Sequence, residues 1–185
     1  MFYNKDMNNH LQIFSTDRLA ILALPRSKTN DVFSFITDLA IKDSIRVIDG
    51  GNLFNVLILN RIIRRKTDNI IEVLEHIHLS RAFTCIQMES TLQEAIIGND
   101  PILILDLLHT FYDESVNNQQ SQYLLGSCTQ LLKQLSHVVP VLVHVSPSPG
   151  RERRPFLIKM LFEATNNVWG MESKTNIPMQ LPLWE

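Results

Sequence analysis

A lysine followed by a threonine, set between an apolar run and a helix-like segment, is the first pair in this chain that could handle a phosphate. Lys28 and Thr29 close the stretch Leu22-Ala23-Leu24-Pro25-Arg26-Ser27-Lys28-Thr29. A phosphate-binding P-loop reads G-x-x-x-x-G-K-[ST]. Its glycines let backbone N–H groups wrap the phosphates, the lysine reaches the β and γ oxygens, and the hydroxyl holds Mg²⁺. Here the Lys-Thr pair stands in register, but Leu22 and Ser27 take the places of both glycines. Pro25 also removes one N–H donor from the loop.

Two other segments carry recognisable chemistry. Ser146–Pro155 (SPSPGRERRP) places Arg151, Arg153 and Arg154 in a loop framed by Pro and Gly. Such a cluster suits nucleic-acid phosphates, where affinity comes mainly from Lys and Arg and weakens with salt. The plainer reading is a solvated loop in which Glu152 offsets part of the charge. Catalytic and metal chemistry have less to stand on. His76 and His78 lie two apart on an expected strand and share a face, but two ligands without a third make no metal site. His109 and His144 fall near strand ends, and no Ser or Cys with a supporting acid stands ready to form a triad. Cys85 and Cys128 sit in apolar or mixed segments without a C-x-x-C neighbour and read as buried free thiols. No catalytic residue and no metal ligand set is expected.

The composition fits this restraint. The chain has 185 residues, 45% hydrophobic and 19% charged, with a formal net charge of -2. That is the size of one domain with a real core. The overall charge pulls toward neither nucleic acid nor membrane, so such binding must come from a local patch. The polar start, Met-Phe-Tyr-Asn-Lys-Asp, is not a signal peptide. No apolar run approaches the ~20 residues that span a bilayer. A cytoplasmic protein without membrane contact is expected.

The elements that must position these residues alternate. Arg18–Leu24 reads as a buried strand ended by Pro25, and Asn30–Ile41 as a helix capped by Asn30. Ser44–Asp49 reads as a strand closed by Gly50-Gly51, and Leu53–Arg65 as an amphipathic helix whose late arginines suit the helix dipole. A turn of helix and a strand near His76–Phe83 follow, then a helix over Gln87–Ile97. Pro101–Asp106 (PILILD) is the most strand-like segment. Next come a helix over Gln120–Ser136, a strand over Val138–Val145, a helix over Phe156–Glu163 and a last strand over Asn167–Met171. Continuous apolar strands alternating with helices predict an α/β fold, a largely parallel sheet with helices on both faces. In such sheets ligands sit at the carboxyl ends of the strands. No internal repeat or long linker divides the chain.

Taken in order, the motifs resemble the core of RecA/RadA-type recombinases. After the degenerate P-loop comes Ile48-Asp49-Gly50-Gly51-Asn52-Leu53-Phe54, similar to the family's I-D-T-E-G-T-F. Ser80-Arg81-Ala82-Phe83 is similar to A-R-A-F, and Ile102-Leu103-Ile104-Leu105-Asp106 to the Walker B strand. Val141–Ser146 resembles the strand that ends in a polar sensor segment. The resemblance runs from Arg18 to Glu172 and implies a RecA-like core over residues 1–172 and a tail over residues 173–185. It also implies that the loops after the Walker B strand (about His109–Gln119) and after the next strand face a DNA channel. Phe111 and Tyr112 then either stack on a base or belong to the core.

The departures matter as much. The family's catalytic Glu falls on Gly51, both P-loop glycines are gone, and no clear sensor stands at Ser146. Lys28, Thr29 and Asp106 are the only surviving pieces of a nucleotide site, enough at most for weak binding of ATP and Mg²⁺. Asp106 reads equally as a strand-end carboxylate capping nearby backbone.

The final residues, Met179-Gln180-Leu181-Pro182-Leu183-Trp184-Glu185, resemble the bacterial sliding-clamp-binding peptide Q-L-x-L-F, with Trp184 for Phe. Leu183 and Trp184 would fill an apolar pocket and Gln180 would supply orienting hydrogen bonds. The alternative is that Leu181, Leu183 and Trp184 pack on the chain's own sheet.

These readings lead to a non-catalytic, RecA-like accessory protein of DNA repair or recombination. It is expected to bind single- or double-stranded DNA, a recombinase, polymerase or sliding-clamp partner, or itself. A weak ATPase with a site completed by a neighbouring subunit, and a RecA-like scaffold outside DNA metabolism, are the competing expectations.

Overall fold

The computed structural model describes residues 18–146 and 154–170. Its frame is one sheet of six strands: β1 (Leu19–Ala23), β2 (Ile45–Asp49), β3 (Ile77–Arg81), β4 (Ile102–Leu105), β5 (Val141–Val145) and β6 (Val168–Gly170). They are ordered β3-β2-β4-β5-β1-β6. Every neighbouring pair is parallel, so the largely parallel sheet expected from the sequence is parallel throughout. At this general level the architecture is consistent with the RecA-like, P-loop type of fold.

Alternation along each strand divides the apolar side chains between two faces. On one face Ile102, Ile104, Val141 and Val143 pack under α4 (Cys85–Ala95), α5 (Asn118–Val138) and α6 (Pro155–Phe162). On the other, Leu103, Leu105, Ile45 and Val47 pack under α1 (Thr29–Ala40), α2 (Val56–Lys66) and α3 (Ile70–Glu75). Phe33 on α1 stands edge-on to Phe54, with ring centroids 5.8 Å apart. Among the described residues no helix is long and apolar enough to cross a membrane.

Several boundaries shift for local reasons. The first helix begins at Thr29, so Asn30 lies inside it and caps nothing; Lys28 holds the cap position without a side-chain bond. α2 starts three residues later than expected, at Val56. Asn55 is its true cap, its side-chain oxygen accepting from the Leu57 and Ile58 N–H groups at 3.0 and 3.2 Å. α4 starts two residues early because the Thr84 hydroxyl caps the Gln87 N–H at 3.1 Å. His76 closes α3 instead of sharing a strand with His78, and its Nδ1 lies 2.7 Å from the Ala40 carbonyl.

The polar loop expected after β4 opens instead with a 3-10 helix over Leu107–Tyr112. Phe111 is fully buried there and Tyr112 packs against the same core. Of the two roles left open for Phe111, the core is the one it fills.

Candidate functional site

At the carboxyl edge of the sheet the segment after β1, the Asp49–Gly51 corner after β2, Asp106 after β4 and Ser146 after β5 converge. Asp106 leaves its strand in a left-handed conformation with φ 50°, unusual for a residue with a side chain. The carboxylate this turns inward is wholly buried. Its Oδ1 accepts the Ser146 N–H at 3.2 Å and its Oδ2 accepts from Arg26 Nη2 at 3.0 Å. The Asp106 N–H donates to His144 Nδ1 at 3.3 Å, which leaves the ring proton on Nε2, facing the Leu24 carbonyl at 3.2 Å. The buried His144 thus joins the end of β4 to the end of the β1 segment.

Arg26 is the residue that sequence reasoning missed. One terminal nitrogen, Nη2, faces three acceptors: Asp106 Oδ2 at 3.0 Å, His109 Nδ1 at 3.3 Å and the Gly51 carbonyl at 3.5 Å. The guanidinium therefore sits on the carboxylate that the resemblance assigns to metal-bound nucleotide.

The expected phosphate pieces are arranged differently from a P-loop. Arg26–Lys28 forms a 3-10 turn in which the Lys28 N–H donates to the Pro25 carbonyl at 2.8 Å. The Thr29 hydroxyl donates to the Arg26 carbonyl at 2.6 Å. No residue of this turn is left-handed, since the positive-φ residues among those described are Asn52 and Asp106. The concave array of N–H groups that cradles a phosphate needs such alternation, and it does not form here. The Lys28 side chain makes no hydrogen bond or ion pair among the described residues, and the ion pair on Asp106 is made by Arg26.

Gly51 leaves no room for a catalytic carboxylate. A Cβ there would lie 2.5 Å from Asp106 Cβ and 2.9 Å from its Oδ2. The Gly50 and Gly51 N–H groups both donate to the Leu105 carbonyl, at 2.9 and 3.2 Å, holding this corner against β4. Asp49 is also buried and accepts the Leu53 and Phe54 N–H groups, each at 2.9 Å. Arg81, its register partner on β3, brings Nε to 3.7 Å from Asp49 and donates to the Phe54 carbonyl at 3.2 Å. The two quoted motifs therefore meet as one ion pair.

The arginine cluster is split. Arg154 turns inward: Nη1 donates to the Phe111 carbonyl at 2.7 Å and to Ser121 Oγ at 3.2 Å, and Nη2 donates to the Val116 carbonyl. It clamps the segment after β4 in place of the phosphate contact expected of it. Arg151 and Arg153 lie outside the described residues, as do Gln180, Leu181, Leu183 and Trp184.

Both cysteines are buried, as expected. Burial, with the Glu89 charge adding to it, pushes the Cys128 thiol up to about 12. Burial also raises Cys85. No group of three or more His, Cys, Asp or Glu that could hold a metal is present among the described residues. No protein-family model matches the chain, and no curated protein matches it in sequence.

Proposed function

We propose that the chain is a cytoplasmic, non-catalytic RecA-like accessory protein of DNA repair or recombination, acting by binding and needing neither nucleotide nor metal. The observation that carries the non-catalytic part is Arg26 seated on Asp106. Phosphoryl transfer needs positioned donors, a metal and an oriented nucleophile. Here a guanidinium holds the carboxylate, the turn donates to itself, and Gly51 packs where a catalytic Glu would project. The motif order quoted above supports the repair assignment.

A binding role also has surfaces. Among the described residues β3 is an edge strand, paired only with β2, and four of its five residues are exposed. Leu79, Phe83 and Ile86 stand in solvent along and just beyond it. An open edge beside exposed apolar side chains suits strand addition by a recombinase, a polymerase or a second copy. Arg151 and Arg153 remain the sequence's candidates for DNA, and Gln180, Leu181, Leu183 and Trp184 for a sliding clamp.

The test compares the whole chain with a version cut after Ile177 for binding to a bacterial sliding clamp. Micromolar binding, about -8 kcal/mol, lost on truncation, is the expected result. A rise in thermal stability with millimolar ATP and Mg²⁺ would instead favour the weak, composite-site ATPase. Failure to bind both the clamp and single-stranded DNA at low salt would leave a RecA-like scaffold outside DNA metabolism.

A further inference from the structure

The described arginines fall into two groups. Arg18, Arg26, Arg81 and Arg154 each donate to backbone or side-chain acceptors within the fold, and Arg46 is half-buried beside Gly98. The remaining three, Arg61, Arg64 and Arg65, are clustered on α2, exposed, and joined to no carboxylate among the described residues.

Helical geometry explains the alignment. Leu59 and Ile63 are buried, with Ile58 and Ile62 packed against the same core, so α2 is fixed by one side. Leu57, Arg61, Arg64 and Arg65 follow at spacings of four, three and one, which puts them along the opposite, outward line. Leu57 is 73% exposed and Val56 51%. No acidic residue interrupts α2, and the next along the chain is Asp68. A chain of net charge -2 thus concentrates, at the end of one helix, three guanidinium groups that meet no carboxylate among the described residues. The helix dipole favours cations in the last turn, but Lys66 already serves there, bonded to Asp38 at 2.6 Å and Ser34 Oγ at 2.7 Å. The dipole does not call for three arginines on one outward line.

We propose that this face of α2 binds the phosphate backbone of a single nucleic-acid strand. The guanidinium fork matches phosphate oxygens in pairs. Arg61 and Arg65 are separated by about 6 Å along the helix axis, a length on the scale of neighbouring phosphates. Leu57, one turn away, offers an apolar contact to an unpaired base, which a duplex would hide. A lipid surface fits poorly, because the apolar side of the helix is already in the core. The proposal rests on the α2 geometry and not on the repair assignment or the tail.

The test is fluorescence anisotropy of a labelled oligothymidylate of about 20 nucleotides with the full chain, over a salt series. Three phosphate contacts to a single strand give a log–log salt slope near -2, about a 20-fold loss of affinity between about 50 and 200 mM salt. R61E/R64E/R65E removes binding, R61K/R64K/R65K keeps most of it, and K42E/K133E/K159E, an equal charge change elsewhere, leaves the slope intact. All three are compared at matched far-ultraviolet circular dichroism. No binding by the intact chain at low salt, an unchanged slope in R61E/R64E/R65E, or an equal loss in the lysine control overturns the proposal. So does stronger competition by duplex DNA or polyglutamate than by the single strand. Clamp binding by R61E/R64E/R65E should equal that of the intact chain, so the tail assignment stands or falls separately.

Discussion

Replacing Arg26 by alanine tests the central feature of the candidate site. The Asp106 carboxylate is wholly buried, and Arg26 Nη2 at 3.0 Å is its charged partner. Breaking a fully buried pair by removing one member costs about 3–5 kcal/mol. The Arg26 side chain is 48% exposed, so water can take part of its place. The loss then falls nearer the about 1.5–3 kcal/mol of a single hydrogen bond to a charged group. A destabilisation of about 2 kcal/mol lowers the melting temperature of a chain this size by about 4–8 °C. The assay is thermal and urea unfolding of Arg26→Ala in the native and Asp106→Asn backgrounds, a double-mutant cycle. With the carboxylate already neutral, the second cost should drop below about 1 kcal/mol, because a neutral acceptor gains less from the guanidinium. Equal costs in the two backgrounds, or a melting temperature within about 1 °C of the parent, would refute the view that Arg26 neutralises this carboxylate.

Two further outcomes follow from packing and burial. Gly51→Ala places a methyl 2.5 Å from Asp106 Cβ, and such overpacking costs about 1–3 kcal/mol, readable as a lower urea midpoint with an unchanged slope. Cys128 holds its proton to about 12 in the fold against 9.0 when unfolded. The unfolded chain therefore loses that proton first, and stability declines as pH rises from 9.0 toward about 12. Urea unfolding at neutral and alkaline pH should show a smaller decline in Cys128→Ala than in the parent.

Much of the frame was legible because it rests on local pattern. The apolar runs at Ile102–Leu105 and Val141–Val145 are buried from end to end and that at Leu19–Ala23 over its first three residues, and continuous burial on two faces is what a parallel sheet writes into sequence. What local pattern could not give is pairing across distance. Arg26 and Asp106 are 80 residues apart, and nothing in P-R-S-K-T says that the arginine, and not the lysine, turns toward the strand end. Asp49 and Arg81 stood in two quoted motifs, yet their meeting depends on the β2–β3 register. Arg154 read as one cation among three because its partners are backbone carbonyls of another segment, which leave no trace in residue type. The helix starts at Thr29 and Val56 were missed for a smaller reason: Asn30 and Asn55 are equally good caps by type, and only the second is placed to accept.

The Arg154 clamp has a mechanical meaning. It sits at the first turn of α6, where Pro155 fixes the entry, and its guanidinium grips backbone on either side of Asp113. Opening the α6 end therefore cannot leave Phe111–Val116 undisturbed, and loosening that stretch releases the start of α6. The two belong to one cooperative unit, so a force applied at one of these segments is felt at the other without passing through the sheet.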